Sequence, residues 1–286
     1  MNRLLILLAF LFVLVFGLNT LLPSAVTTSF AGAEITAPEV VRVQPLSALE
    51  YPKDSPYNLL APIASRVGME TRLGNPQIPA RGGEVWLQIA LRAQDALRRQ
   101  NIASNVMLTL IPAQDIRVVQ ILGYADALPS KRVSLQLPEL WNGDARVVLV
   151  QLDAAPTANG TRTLAHVELR YTDSVTQRAE IFAQSVTADF LANANPDPLV
   201  DIQVMHHVTH QRAVQGAQEI ERMSQNKKYL DAWNLAARLE YESRRVAQLT
   251  GDARIRQDAD TMRAFQNKLA QSVQTQNGFY PKYISE

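Results

Sequence analysis

The feature that most constrains the fold is a series of short segments in which apolar residues recur at every second position. After Gly82-Gly83, the side chains of Val85, Leu87 and Ile89 fall on one face of an extended chain. Similar segments cover residues 105–111, 116–122, 132–137, 146–152, 164–171 and 178–190. Pro, Asn and Gly residues of the kind that form turns separate them. This pattern predicts an antiparallel β-sandwich over residues 83–192.

The chain changes to a helical spacing after Asn195-Pro196-Asp197-Pro198, which we interpret as a hinge. Gly and Pro become rare, and three amphipathic stripes cover residues 197–275. Thr250-Gly251-Asp252 is predicted to end the second helix and to cap the third. The stripes are Ile202, Met205, Val208 or Thr209, Ala213, Ala217, Ile220 and Met223; Tyr229, Trp233, Ala236, Leu239, Val246 and Leu249; and Ile255, Ala259, Met262, Phe265, Leu269 and Val273.

The predicted fold class is therefore α+β, with an antiparallel β-sandwich followed by a helical hairpin or three-helix segment and a tail over residues 276–286. Two further segments precede the sandwich. Residues 34–82 are rich in proline and are predicted to form a linker or arm. The other segment, residues 1–33, begins with a long apolar run.

The N-terminus is typical of an export signal. Met1-Asn2-Arg3 is a short positive start, and residues 4–18 are apolar except for Gly17. Ala31-Gly32-Ala33 offers a cleavage site, but the apolar run is long enough for an uncleaved anchor as well. We expect residues 1–33 to be a signal peptide or a membrane-anchor helix. The protein is then exported to the periplasmic or extracytoplasmic side and meets the membrane only through this segment.

Composition excludes several classes of function. The chain is 47% hydrophobic and 19% charged, which is enough apolar material for a packed core. Lys and Arg total 28 against 27 Asp and Glu, without a long block of one sign, so nucleic acid is not an expected partner. Cysteine is absent, which excludes disulfides, thiolate metal sites and a catalytic thiol.

Several segments resemble bacterial proteins with a von Willebrand factor type A domain, in the regions that flank that domain. Ile78-Pro79-Ala80-Arg81-Gly82-Gly83 and the strand after it, to Ala93, resemble the entry into the A domain. Residues 106–112, 116–124, 137–152 and 164–173 are similar to the sandwich that continues after it. Asn195-Pro196 and the following helices resemble the family's C-terminal helical segment. The resemblance spans residues 74–274.

The chain departs from that family where the A domain would be inserted. Only residues 94–104 lie at this place, and no Asp-x-Ser-x-Ser element of a metal-ion-dependent adhesion site occurs in the sequence. The resemblance therefore implies a non-catalytic scaffold or protein-interaction module of the cell envelope. Its expected partner is an envelope protein, and A-domain proteins are among the candidates.

His206 and His210 are the candidates for metal binding, because residues four apart share one helix face and could chelate zinc with a third ligand. The segment lacks the glutamate that serves as general base in a metalloprotease helix, so the sequence favours no metal site. A metal-dependent enzyme centred on these histidines remains the alternative. His166, in a predicted strand, is expected to be a cross-strand partner.

Neither a nucleophile motif nor a phosphate-binding loop is present in the sequence, so no catalytic or cofactor-binding residue and no cofactor are predicted. Trp141 is the candidate for partner contact, because it lies beside an Asn-Gly turn, where its ring either folds back on the sandwich edge or is exposed. A carbohydrate-binding sandwich that uses Trp141 is the third hypothesis. The oligomeric state is left open.

Overall fold

A computed structural model describes residues 40–41, 66–94, 101–124 and 132–277 of the chain. The predicted signal or anchor segment, residues 1–33, lies outside these ranges, as does most of the predicted tail. Within the described ranges, no helix has the length and apolar character needed to cross a bilayer.

Over the described ranges the strands form two sheets, and the first has seven strands. These are β1 (Val40–Val41), β3 (Gln77–Pro79), β5 (Asn101–Pro112), β7 (Val133–Gln136), β8 (Leu140–Trp141), β10 (Gly160–Asp173) and β11 (Ala179–Leu191). Their order is β1-β7-β5-β10-β11-β3, and β8 pairs with β5 off this path.

The second sheet has four strands. These are β2 (Val67–Leu73), β4 (Gly83–Ala93), β6 (Ile116–Leu122) and β9 (Ala145–Ala154), in the order β2-β4-β9-β6. All its pairings are antiparallel. In the first sheet, β1–β7 and β3–β11 are parallel, which corrects the wholly antiparallel prediction. Parallel neighbours need long connections rather than hairpins, and both β1 and β3 are far from their partners in sequence.

Residues 66–79 correct the predicted linker over residues 34–82. Strand β2 takes an edge of the second sheet, and β3 takes an edge of the first. Met69 and Leu73 on β2 pack against the core between the sheets, and Ile78 on β3 lies within it. The prolines had suggested a linker, but Pro76 and Pro79 lie just before and at the end of the short edge strand β3, where a missing N–H is tolerated.

One hydrophobic core joins the two sheets. The inward faces of β4 and β9 supply Leu87, Ile89 and Val150, and those of β5 and β10 supply Leu108 and Leu169, all nearly inaccessible to solvent. These positions are the predicted period-two residues. The coarse prediction of mostly antiparallel strands in two sheets, followed by helices, is confirmed.

In the described chain up to residue 277, three helices follow the sheets: α1 (Ile202–Gln225), α2 (Tyr229–Thr250) and α3 (Ala253–Asn277). The carboxylate of Asp201 caps α1 by accepting hydrogen bonds from the N–H groups of Gln203 and Val204, both at 3.0 Å. Gly251 ends α2 in the left-handed conformation with φ 69°, as predicted. Asp252 caps α3 by accepting from the N–H of Arg254 at 2.7 Å.

Helix α1 covers the outer face of the second sheet. Val204 and Val208 pack there against Trp86 of β4 and Leu149 of β9. On another side, α1 packs against α2 and α3 through a second core that includes Ala213, together with Ile220, Leu239, Met262 and Leu269. Because α1 is covered on two sides, it buries more of its surface than the predicted apolar stripe.

Candidate functional site

Trp141 lies in a turn of residues 138–144, here called the Trp141 turn. Strand β8 places Leu140 and Trp141 next to each other, with Trp141 opposite Asn101 of β5. Leu140 is fully buried in the core, whereas Trp141 is 46% exposed. The side chain of Leu140 thus anchors the turn in the core, and the next side chain, that of Trp141, is exposed to solvent. Of the two positions that the sequence left open for the ring, the exposed one is observed.

Arg146, at the start of β9, fixes the shape of the Trp141 turn. Its guanidinium donates to the carbonyl oxygen of Pro138 at 2.5 Å and to that of Glu139. It also lies 3.3 Å from Oδ2 of Asp144, the atom that accepts the backbone N–H of Trp141 at 2.9 Å. Charge-assisted hydrogen bonds of this kind are stronger than neutral ones. Arg146, which is mostly buried, therefore holds the backbone before Trp141 directly and the backbone N–H of Trp141 through the carboxylate of Asp144.

The Trp141 turn is also joined to the end of β4. The N–H of Gly143 donates to the carbonyl oxygen of Ala93, and the N–H of Ala93 donates to that of Asp144, both at 2.9 Å. Gly143 has φ 86°, a conformation that favours glycine. The connection from β4 to β5, residues 95–100, leaves the described structure at this same end of the sheets.

Asn101, the cross-strand neighbour of Trp141, bonds two other polar side chains. The amide nitrogen of Asn101 donates to Oε2 of Glu139 at 2.8 Å, and its oxygen accepts from the hydroxyl of Ser174 at 3.0 Å. We call Trp141, Asn101, Glu139 and Ser174 the Trp141 surface. It combines a flat apolar ring with hydrogen-bonding groups that are already in fixed positions. This arrangement suits the binding of another surface.

The neighbouring turn after β10 is held by Asp173. Its carboxylate contacts Nη1 of Arg66 at 2.9 Å and accepts the N–H groups of Val175 and Thr176 at 2.7 and 2.8 Å. Burial raises the pKa of Asp173, but the two backbone N–H groups and Arg66 outweigh burial and hold the pKa below its usual value. The carboxylate remains charged and keeps Ser174 in place beside Asn101.

The two histidines predicted as metal candidates contact different carboxylates, one that caps α3 and one within it. Nε2 of His206 lies 3.0 Å from Oδ2 of Asp252, and Nδ1 of His210 lies 2.7 Å from Oδ2 of Asp258. Over the described ranges, no group of three or more His, Cys, Asp or Glu side chains is arranged to hold a metal ion. The contacts of these histidines instead join α1 to α3.

His207, which sequence reasoning did not single out, lies against the second sheet. Its Nδ1 is 2.5 Å from the side-chain oxygen of Gln88 on β4. Burial lowers the pKa of His207 to about 3, and burial also lowers the pKa of His206, against the opposing effect of Asp252. The sequence signal for this contact was Gln88. It is a polar residue on the outward face of β4, and helix α1 covers that face.

The remaining aromatic and histidine candidates have structural contacts. Trp86 is fully buried beneath α1, with the guanidinium carbon of Arg212 5.1 Å from its ring centroid. Trp233 packs half-buried in the helical core. His166 contacts the hydroxyl of Ser185 across the β10–β11 pair at 2.9 Å, as expected. Trp141 is therefore the most exposed of the three tryptophans.

No protein-family model matches the chain, and no curated protein matches it in sequence. Similar solved structures include the ArnB paralog VWA2 from Sulfolobus acidocaldarius, with TM-score 0.38 and 15% identity over 61% of this chain and 42% of that one. A von Willebrand factor type A protein from Catenulispora acidiphila has TM-score 0.35 and 12% identity over 51% of this chain and 38% of that one.

Domains D2 and D3 of the major pilin SpaD from Corynebacterium diphtheriae match with TM-score 0.31 and 8% identity, over 42% of this chain and 51% of that one. This chain spans less than half the length of the two von Willebrand factor type A structures. Two of these similar structures are described as von Willebrand factor type A proteins. The TM-scores are too low to assign the chain to that family.

Proposed function

We propose that this chain is a non-catalytic interaction module of the cell envelope, which binds a protein partner through the Trp141 surface. In this proposal, residues 1–33 export the protein or anchor it in the membrane, and the β-sandwich presents the surface on the extracytoplasmic side. The observation that carries the proposal is the exposed ring of Trp141 on a turn fixed by Arg146.

A rigid, exposed tryptophan supports binding for two physical reasons. Its large apolar surface gains free energy when it leaves water, and tryptophan is enriched among the residues that dominate interface energies. The bonds from Arg146 to the backbone of residues 138 and 139 hold the turn before any partner arrives. Less conformational entropy is then lost on binding. Asn101 and Glu139 supply a polar rim.

The position of the surface supports an A-domain protein as the partner. In the family that the sequence resembles, the A domain is inserted between the strands that correspond to β4 and β5. The Trp141 turn is hydrogen-bonded to Ala93 at the end of β4, and Trp141 pairs with Asn101 at the start of β5. A separate A-domain protein at this end would occupy the place that the inserted domain takes in the family.

The test is affinity capture of the tagged full-length protein from its native membrane fraction, followed by mass spectrometry. Trp141→Ala is compared with Tyr241→Ala, because Tyr241 is another exposed aromatic residue, 70% exposed on α2. We expect a stoichiometric envelope protein that is retained by the wild type and Tyr241→Ala but lost with Trp141→Ala. The same dependence should then appear with the purified partner alone. Retention by all three proteins would contradict the assigned surface.

Two further outcomes would replace the proposal. Binding to purified polysaccharide that is lost with Trp141→Ala would assign the same ring to a carbohydrate. Stoichiometric zinc in the purified protein, lost with His206→Ala together with an enzymatic activity, would support the metal-dependent enzyme. We expect neither, since His206 and His210 are each engaged by a separate carboxylate.

A further inference from the structure

In the part of the chain that the structure describes, strand β11 has one long open edge. Its other edge pairs with β10 from Ala179 to Phe190, whereas β3 covers the open side only at residues 189–191. Among the described residues, no strand pairs with residues 179–187 on that side. The opposite edge of the same sheet is the two-residue strand β1, next to β7.

The backbone groups that face the open edge can be identified. The N–H of Asp189 donates to the carbonyl oxygen of Pro76, and the carbonyl oxygen of Leu191 accepts from Ala80, both toward β3. Alternate residues of a strand direct their N–H and C=O groups to the same side. The groups of residues 181, 183, 185 and 187 therefore point to the open edge, where they can pair with an added strand.

The edge lacks several of the usual features that prevent pairing with another chain. Natural edge strands carry Lys or Pro, contain bulges or are very short. Strand β11 is 13 residues long and has neither Lys, Arg nor Pro. The irregularity in its pairing lies in β10, between Thr163 and Ala165. Ile181 is 57% exposed on this strand.

The space beside the edge is partly apolar. Strand β2, the edge of the second sheet, contacts β11, and its residues Met69 and Leu73 are only partly buried against the core. Phe182 of β11 is also partly buried, and its ring stacks on Tyr171 with centroids 6.2 Å apart. An added strand with an apolar residue at every second position could cover these side chains.

The charges of β11 indicate the kind of strand that fits. Glu180 and Asp189 are its two charged residues; Glu180 lies at one end of the open stretch, and Asp189 lies just beyond the other end, where β3 begins to pair. A second copy of β11 would bring two more carboxylates to the same edge and one cation, Arg178, just before the strand. An extended segment with a Lys or Arg near each end would instead place opposite charges at both carboxylates. The charge pattern thus favours a different chain over a second copy.

We propose that the open edge of β11 binds an extended segment of a partner protein as an additional strand, with apolar residues at alternate positions and basic residues near its ends. Main-chain hydrogen bonds to residues 181–187 provide the affinity, and the alternating side chains provide the register. This site is separate from the Trp141 surface and does not depend on it.

The probe is a fluorescently labelled peptide in which Val and Thr alternate between a Lys at each end, titrated against the full-length protein in detergent. We expect binding that a charge-reversed peptide with Glu ends weakens about tenfold or more. N-methylation of the alternate amides on one edge of the peptide should abolish binding, while methylation on the other edge should not. Amide hydrogen exchange at residues 181, 183, 185 and 187 should slow when the peptide is bound.

The matched variants are Ala183→Pro and Ala183→Thr. Proline removes one N–H from the open edge without removing a bond to β10, whereas threonine keeps the N–H and suits a strand. We expect a loss of about tenfold or more in peptide affinity for Ala183→Pro alone, with both variants melting close to the wild type. Trp141→Ala should bind the peptide normally, which separates this site from the proposed function.

Three results would overturn the proposal. One is equal binding of both N-methylated peptides, and another is slow exchange of the same amides in the free protein without peptide binding. The third is self-association in sedimentation experiments that Ala183→Pro abolishes, which would assign the edge to a second copy of the chain.

Discussion

The side-chain oxygen of Gln88 lies 2.5 Å from Nδ1 of His207, and both residues are almost fully buried, at 2% and 1% exposure. An amide oxygen can only accept, so Nδ1 carries the proton and donates it. This contact joins the outward face of β4 to helix α1. It also places an ionisable ring where charge is unfavourable, because burial keeps the pKa of His207 at about 3.

His207 should make stability fall with acidification. The folded-state pKa lies below the unfolded value of about 6.5, so the stabilising contribution is complete above that pH and is lost as pH falls toward 3. In His207→Asn, the amide nitrogen can replace Nδ1 without titrating. We expect the stability difference between wild type and variant to shrink by about 2 kcal/mol between pH 7 and pH 5 in urea unfolding. Parallel pH curves for the two proteins would contradict this assignment.

Arg146 should control the order of the Trp141 turn. Arg146→Met removes the donors to the carbonyl oxygens of Pro138 and Glu139 but keeps much of the apolar stem, and we expect a loss of about 2 kcal/mol in unfolding free energy. The amide of Trp141, which donates to Asp144, should exchange faster with solvent. Hydrogen exchange and denaturant unfolding together measure both effects.

Arg117→Met is the matched control for that variant. Arg117 also pairs with an aspartate, Asp153, but its side chain is 63% exposed, so its loss should cost less than about 1 kcal/mol. Equal costs for the two arginines would show that Arg146 has no special role in the turn.

Local periodicity predicted most of the strands and helices, because each pattern depends on neighbouring residues. It did not predict β2 and β3, since a strand in a proline-rich segment is recognised only by the sheet that it joins. The first helical stripe was also partly wrong. Ile202, its first residue, is 51% exposed, while His206, His207 and Gln211 are buried. A helix that packs on two sides buries polar residues that a single amphipathic stripe places in solvent.

The candidate site, like the fold, was predictable from local sequence only in part. The position of Trp141 beside a turn was readable from the sequence, but its exposure depends on how Leu140 and Arg146 fix the turn. Arg146 is two residues beyond Asp144, and its contacts with residues 138 and 139 form only once the turn has closed. The open edge of β11 follows from strand order, which sequence periodicity does not determine.

Asp258 should stabilise the contact between α1 and α3 through His210. Asp258→Ala removes the 2.7 Å contact with Nδ1 of His210, both side chains being mostly buried, and we expect a loss of about 1 to 2 kcal/mol. Asp260→Ala, on the same helix but 67% exposed, should stay within about 0.5 kcal/mol of the wild type. Thermal unfolding of both variants tests the difference. A lower melting temperature after zinc chelation would instead indicate a metal-linked role for His210.

Gly74 should tolerate no side chain. It lies after β2, where its N–H donates to the carbonyl oxygen of Trp86 at 2.7 Å and its own carbonyl accepts from Val200 and Asp201. A Cβ at this position would lie 2.4 Å from the carbonyl oxygen of Pro198. Backbone atoms cannot move away as a flexible side chain does. Gly74→Ala should therefore displace the segment that leads into α1 and cost about 1 to 3 kcal/mol.

The control is Gly251→Asn at the end of α2. Gly251 has open space around its Cα, and asparagine accepts the left-handed backbone there with little strain, so we expect a change of less than about 1 kcal/mol. Hydrogen exchange would locate the effect of Gly74→Ala, because the first turn of α1 should lose protection before the strands do. If Gly74→Ala were as stable as Gly251→Asn, the close approach of Gly74 to Pro198 would not constrain the junction between the second sheet and α1.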